Sequence, residues 1–385
     1  MNTYGTRSTT MVKGDGVYLF DNRGRRYLDA LSGIAVCGLG YSHPVVTKAL
    51  CEQAQTLIHC SNLFNIEPQI QLGERLCHVA GMQRVFFANS GAEANEAAIK
   101  IARKLGQSKG LEAPHIITAK RSFHGRTMAT LSATGNAKIR EGFSPLLAGF
   151  SQVEYDSLAA IEEAATEQTV AIMVEPIQGE GGIRVPAGDY LHQLRALCDA
   201  RGWLLILDEI QSGNGRTGRY FAYQHAGILP DVVTTAKGLG NGVPIGACLA
   251  RGAAAEVLQP GNHGSTFGGN PLASATALAV VDTLSQESCL QRVSELGHRI
   301  LSGLRRELAE LPGVVDIRGM GLLLGIELDR DLPNFVEEAK NEGLILNVTA
   351  GRVIRLLPPF ILSDDEADTI VNTVSSLVQK TLGGQ

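Results

Sequence analysis

The chain has 385 residues, 44% hydrophobic and 19% charged, with a formal net charge of -5 at pH 7 and a sequence pI near 6.0. That length suits two domains of ordinary size, or one large domain with an attached lobe, and it can bury a sizeable core. The composition offers no basic stripe of the kind nucleic acid needs, no run near the ~18 apolar residues of a membrane span, and no low-complexity or repeat period.

The opening "MNTYGTRSTTMVKGDG" has no apolar signal core, so a cytoplasmic location is expected, with no membrane and no nucleic acid as partner. Apolar runs then alternate with helical patterns: "VFFA" (85–88), "HIITA" (115–119), "VAIMVEP" (170–176), "WLLILDE" (203–209), "VVTTAK" (232–237) and "IGACLA" (245–250). Several are continuous, as strands buried on both faces of a mainly parallel sheet are. The spacing of Ala94, Ala97, Ala98, Ile101, Ala102 and Leu105 predicts a helix that starts at Gly91 and buries one face. An α/β sandwich follows. Beyond about residue 275 long helices take over, with short strands at "GLLLGIEL" and "VIRLLPP", and the last helix opens on a capping box of Ser363 and Glu366. A smaller α+β domain is expected there. The seven cysteines are scattered and never form CxxC, which argues for reduced thiols; the nine histidines never form HExxH, and no protein metal site is expected.

Within "WLLILDEIQSGNGRTGR" (203–219), Gly213, Gly215 and Gly218 satisfy GxGxxG, a dinucleotide signature. A dinucleotide site needs those glycines to open a long helix, and a following strand that ends in an acid roughly 20 residues on. Here Pro230 stops a short segment and the next strand ends in Lys237, which argues against that reading. Asp208 and Lys237 instead terminate two apolar strands, and side chains at carboxyl strand ends of an open α/β sheet face the ligand crevice. Either alone reads equally as a solvated loop residue or half of an ion pair. Together they suit pyridoxal phosphate: a lysine amine condenses with its aldehyde, and a carboxylate keeps its ring nitrogen protonated. "FFANSGAEANEAAIK" supplies strand, Ser90, Gly91 and a helix start, a place for the phosphate on backbone N–H groups.

The phrases "YLDALSGIAVCGLGYSHP", "SNLF", "FFANSGAEANEAAIKIARK", "SFHGRT", "VEPIQGEGG", "LDEIQSGNGRTGR", "AKGLGNGVPIGA", "HGSTFGGNP" and "VIRLLPP" occur in order over roughly residues 14 to 360. By them the sequence resembles the class III aminotransferases of pyridoxal phosphate fold type I, and within these the acetylornithine and ornithine aminotransferases. The resemblance implies a large domain (46–270) with a mainly parallel seven-stranded sheet, plus a small α+β domain formed by 1–45 with 271–385. It makes Lys237 the Schiff-base lysine and Asp208 the partner of the ring nitrogen. Ser90, Gly91 and Ala92 would hold the phosphate, Phe123 and Ile210 would flank the ring, Glu209 would belong to its lining, and Gln211 would bond its hydroxyl.

Arg126 is implied for the distal carboxylate and Arg355 for the α-carboxylate of glutamate, with Glu180 able to neutralise Arg355 when the donor presents a terminal amine. Ser265 and Thr266 would reach the active site of a second subunit, Ser265 toward its substrate and Thr266 to its cofactor phosphate, so a homodimer is implied. The implied reaction moves the terminal amino group of N-acetyl-L-ornithine to 2-oxoglutarate, a step of arginine biosynthesis, with ping-pong kinetics. Succinylornithine, ornithine and 4-aminobutyrate remain alternative donors, and an aminomutase or decarboxylase on the same fold, or a nicotinamide oxidoreductase, remain alternative classes. One departure concerns the donor: relatives commonly read "SNLFYNEPQ", and Asn65 here replaces the aromatic residue. Glu175, before Pro176, is given a structural role only.

Overall fold

Seven strands build the central sheet in the order Arg84–Ala88, Gly246–Ala250, Val232–Thr235, Leu204–Asp208, Thr169–Val174, His115–Ala119, Phe150–Val153. Neighbours are parallel except at Gly246–Ala250, which runs antiparallel to both strands beside it. The computed structural model describes residues 1–5 and 7–383. Every residue of the five inner strands is buried, which is why their sequences are unbroken apolar runs. Six of the seven strands point the same way, so their carboxyl ends meet along one edge. Asp208, Glu175, Asn89 and Lys237 all fall at or just past that edge.

The helix Gly91–Ser108 crosses this sheet, packed on the strands through Ala94, Ala97, Ala98, Ile101, Ala102 and Leu105. Ser90 caps it, its hydroxyl accepting the Glu93 N–H at 3.2 Å. Strand "VAIMVEP" stops at Val174, since Pro176 has no N–H for the ladder and Glu175 turns inward.

Two four-stranded sheets flank the central one. The first joins Met11–Asp15, Tyr18–Asp21 and Arg26–Asp29 to the distant Leu344–Ile345; the second orders Val314–Met320, Leu323–Leu328, Val353–Leu356 and Asn347–Thr349. Helices Glu287–Leu308 and Asp364–Gly383 pack together over the second sheet, and Pro44–Thr56 and Glu67–Ala80 pack on Pro271–Leu284. The capping box forms: Ser363 N–H donates to Glu366 Oε2 at 2.8 Å and Glu366 N–H to Ser363 Oγ at 3.2 Å.

The strands the sequence reading passes over are those with mixed character. Phe150–Val153 lies at the sheet edge with only Val153 buried, and Val314–Met320 alternates apolar with charged residues. No helix among the described residues is long and apolar enough to cross a membrane.

Candidate active site

A cavity of about 410 Å³ opens at the carboxyl edge of the central sheet, between Asn89–Ala92, Phe123–Arg126, Glu175, Glu180, Asp208, Ile210, Gln211 and Ala236–Lys237. Asp208 ends its strand on the cavity floor and is 3% exposed. Its Oδ2 accepts from His124 Nδ1 at 2.7 Å and from Asn95 Nδ2 at 2.8 Å, while Oδ1 accepts the Ile210 N–H at 3.1 Å. Asn95 is held in turn by the Thr234 hydroxyl at 2.7 Å. Burial works against a charged His124 ring, yet the bond to Asp208 and the fields of Asp208 and Glu175 outweigh it and hold its pKa above the ordinary value. His124 Nε2 is buried and has no partner.

Lys237 follows the neighbouring strand and opens a short 3-10 turn, Lys237–Leu239, in the left-handed region at φ 43°. That conformation costs a non-glycine residue roughly 1–2 kcal/mol. It aims the amine into the cavity. Burial lowers the Lys237 pKa below the ordinary lysine range, opposed by Glu180 and assisted by Arg355. A depressed pKa supplies more of the neutral amine, the nucleophilic form.

The third wall is the start of helix Gly91–Ser108. Gly91 and Ala92 open its first turn, where backbone N–H groups lack intrahelical partners and the dipole favours an anion. Glycine is required at the first of these: a Cβ there would lie 2.7, 2.9 and 3.1 Å from three side-chain carbons of Ile210. Phe123 lines the cavity near Ile210, and the exposed Arg126 guanidinium stands 6.0 Å from the Phe123 ring centre.

Opposite the anion wall, Arg355 Nη1 donates to Glu180 Oε1 at 2.6 Å and to Gln211 Oε1 at 3.3 Å, and its Nε to Asn347 Oδ1 at 3.1 Å. Arg355 is fully buried, whereas the Glu180 side chain is 32% exposed. Burial alone would raise the Glu180 pKa, but Arg355 dominates and holds it below the usual carboxylate range.

Ten of the expected residues thus share one cavity, with Arg355 reached through Glu180. Glu209 does not face it: its carboxylate accepts from Ser212 Oγ at 2.6 Å and from the Tyr223 N–H at 2.9 Å, because side chains of successive strand-end residues point to opposite faces. Ser265 and Thr266 lie outside the cavity, beside His59, Ser61 and Asn62, although Ser265 Oγ accepts from the cavity residue Asn89 at 3.2 Å. Asn65 is exposed.

Some groups of the site were not singled out from the sequence: His124 sat inside "SFHGRT" between two residues that were, Asn95 was the one amide on the apolar stripe of its helix, and Val36 borders the cavity. Glu175, expected to be structural only, borders it as well. Glu175 is buried, accepting from the Phe123 N–H at 3.2 Å and the Gly179 N–H at 3.3 Å. Burial pushes its pKa up to about 7, with His124 opposing and Asp208 assisting. Val36 is presented by Ser32–Ala35, four consecutive residues at φ 51°, 61°, 68° and 61°. Asp29 Oδ1 pins that left-handed turn by accepting the N–H groups of Leu31 at 2.7 Å and Ser32 at 3.0 Å.

The sequence profile of the family Aminotransferase class-III matches residues 2–378. The acetylornithine aminotransferase of Nitrosomonas europaea is 53% identical over 98% of this chain and 97% of its own. Among solved structures, the ornithine aminotransferase of Toxoplasma gondii superposes with a TM-score of 0.96 at 36% identity, over 100% of this chain and 93% of that one. The N-acetylornithine aminotransferase of Stenotrophomonas maltophilia does so with a TM-score of 0.86 at 35% identity, over 99% and 98%. The chain belongs to the class-III aminotransferases.

Proposed function

We infer that this class-III aminotransferase transfers the terminal amino group of N-acetyl-L-ornithine to 2-oxoglutarate, giving N-acetylglutamate semialdehyde and L-glutamate, a step of arginine biosynthesis. Its relatives of 43–53% identity over nearly the whole chain carry the name acetylornithine aminotransferase. The cofactor is pyridoxal 5′-phosphate, and the residues present fit it: a helix start for the phosphate, a glycine where a Cβ would strike Ile210, an acid on the floor and an amine of lowered pKa. When bound, it supplies an electron sink for negative charge at the substrate carbon.

In this reading Lys237 Nζ would be the group that holds the cofactor through its aldehyde, and its amine would serve as the base that carries a proton at the substrate carbon. Asp208 would keep a proton on the ring nitrogen, with its carboxylate fixed for that task by Asn95 and His124. Gly91 and Ala92, beside Ser90, would hold the phosphate, Phe123 and Ile210 would flank the ring, and Gln211 would bond its hydroxyl. The observation that carries the terminal-amine part of the assignment is the 2.6 Å contact between Glu180 and Arg355, and the names of the relatives carry the choice of N-acetyl-L-ornithine among such donors. With Glu180 in place Arg355 is neutralised and a terminal-amine donor is accepted. With Glu180 swung aside Arg355 takes the α-carboxylate of glutamate or 2-oxoglutarate, and Arg126 takes the distal one.

A homodimer completes the reading. Leu57, Ile58, Leu63, Phe64 and Phe267 are all more than a third exposed and adjoin Ser265 and Thr266, an apolar patch of the kind that marks an interface. Each subunit would lend Ser265 and Thr266 to the other's cavity. We also propose a cofactor domain, 46–270, and a small domain, 1–45 with 271–385; the central sheet falls inside the former and both four-stranded sheets inside the latter. The free cysteines suit a cytoplasmic setting.

The test is the visible spectrum of the cofactor-loaded protein on addition of N-acetyl-L-ornithine, succinylornithine, L-ornithine, 4-aminobutyrate and L-glutamate separately, then 2-oxoglutarate. N-acetyl-L-ornithine should bleach the visible band at the lowest concentration among the terminal-amine donors, and 2-oxoglutarate should restore it. A lower half-saturation with another terminal amine overturns the donor assignment.

A further inference from the structure

The turn that carries Glu180 is held far more firmly than a loop at a cavity mouth requires. Gln178 and Arg184 close it with a pair of backbone hydrogen bonds at 3.1 and 3.0 Å. Between them, a Cβ on Gly179 would fall 2.0 Å from Gln211 Oε1, and one on Gly181 2.9 Å from the Arg121 carbonyl oxygen, so a side chain at either position would have to displace its neighbour. Ile183, buried and β-branched, adopts φ 50°, a conformation that persists only where its surroundings over-determine it.

Those surroundings come from the second four-stranded sheet. Arg318, on strand Val314–Met320, donates Nε to the Ile183 carbonyl at 2.7 Å and Nη2 to the Gly182 carbonyl at 2.5 Å. Its Nη1 is anchored by Asp316 at 2.9 Å and Glu327 at 2.8 Å, and Glu327 is itself fixed by Arg352 at 2.6 Å. Thr349 Oγ1 donates to the Glu180 carbonyl at 2.6 Å. Of the four carbonyls from Glu180 to Ile183, all but that of Gly181 are therefore clamped, while the Glu180 side chain keeps access to solvent.

We propose that Arg318, assisted by Thr349, is a specificity-determining positioning residue that clamps the Glu180 turn and confines the Glu180 switch to side-chain rotation. The proposal rests on the reading of Glu180 and Arg355 given above. Its consequence is selective. A terminal-amine donor needs Glu180 on Arg355, so it depends on a correctly placed turn. A dicarboxylate needs Glu180 off Arg355, so a loosened turn does not hinder it.

The test separates the two half-reactions in the cofactor-loaded protein. In Arg318→Gln the half-saturation concentration for N-acetyl-L-ornithine should rise about tenfold, as loss of one positioned charged contact implies, while that for L-glutamate stays within about twofold. Arg318→Lys, able to reach one carbonyl, should lie between, and Thr349→Val should move the same ratio by about threefold. Binding of unreactive glutarate, measured calorimetrically, should be unchanged or tighter in Arg318→Gln. Equal changes in both half-reactions, or weaker glutarate binding, overturn the proposal; if Arg318→Gln does not fold, Thr349→Val decides by the same criterion. Glu180→Ala is the control for the underlying reading: if it leaves the donor preference unchanged, the switch itself is wrong, whereas a shift in Glu180→Ala without one in the clamp variants removes only Arg318.

Discussion

Gly91→Ala is the smallest change that should separate cofactor binding from folding. The added Cβ would meet Ile210 Cδ1 at 2.7 Å, Cγ2 at 2.9 Å and Cγ1 at 3.1 Å, against an optimum near 3.5–4.0 Å for carbon pairs. Rotating the outer torsion of Ile210 clears only Cδ1. The remaining overlap must move the Ile210 backbone or the helix start, and the Ile210 N–H is tied to Asp208 Oδ1 at 3.1 Å. Overpacking of this kind costs about 1–3 kcal/mol. Because both movable parts border the cofactor, most of that should appear as a 10- to 100-fold loss of pyridoxal phosphate affinity. Titration of the apoprotein with cofactor, alongside its melting curve, measures both. In Gly91→Ala/Ile210→Ala the clash is gone, and the double variant should bind cofactor at least tenfold better than the sum of the single effects. Strict additivity, or unaltered affinity in Gly91→Ala, would refute the close-approach argument.

Other expectations follow from the same geometry. Asp208→Asn should lower turnover by about two or more orders of magnitude with the fold retained but a lower melting temperature, since its amide NH2 must face one of the donors His124, Asn95 or the Ile210 N–H; circular dichroism and single-turnover rates check it. Glu175 has a pKa of about 7 in the folded state against an ordinary 4.5, so the native state binds the extra proton and stability falls as pH rises between those values. His124, raised above its ordinary 6.5, extends that loss to higher pH: its contribution is present below 6.5 and disappears as pH passes its folded value. Denaturant unfolding across pH 5 to 9 should show the decline, and Glu175→Gln should flatten its lower part. Arg216 is buried, donates to the carbonyls of Leu322 at 3.1 Å and Pro358 at 2.6 Å, and lies over the Phe360 ring at 4.5 Å. Arg216→Met leaves both carbonyls unpaired and should cost about 2–4 kcal/mol, read as a lower melting temperature; a variant as stable as the parent contradicts the bridging role.

What the sequence made legible was whatever depends on one chain segment at a time. Unbroken apolar runs located the inner strands because burial on both faces leaves no alternation, and Ser90 before the Ala94 stripe located the helix start. Strand-end placement brought Asp208 and Lys237 to the same edge. What escaped depends on contacts between segments far apart. The His124 to Asp208 bond, the Asn95 amide beneath it and the raised Glu175 acid exist only because three strand-end loops converge, and no local pattern encodes their distances. Glu209 shows the converse: the resemblance implied a place in the cavity lining beside Asp208, but the alternation of the strand turns it toward Ser212 and Tyr223. The edge strand Phe150–Val153 was illegible because one solvated side and a polar centre erase the apolar run.

The pairing of Arg84–Ala88 with Gly246–Ala250 has a consequence for how the protein is born. Ala88 lies opposite Gly246, so the strand that leads into the helix start at Gly91 has no partner in the central sheet until most of the chain has left the ribosome. At ordinary synthesis rates of about 5–20 residues per second that interval lasts on the order of ten to thirty seconds. Throughout it the apolar segment "RVFFA" presents an open edge, the kind of surface that seeds aggregation and that chaperones recognise. Lys237 emerges only shortly before the closing strand. Until these two strands pair, the helix start at Gly91 is not fixed beside Lys237, so capture of cofactor follows closure of the sheet.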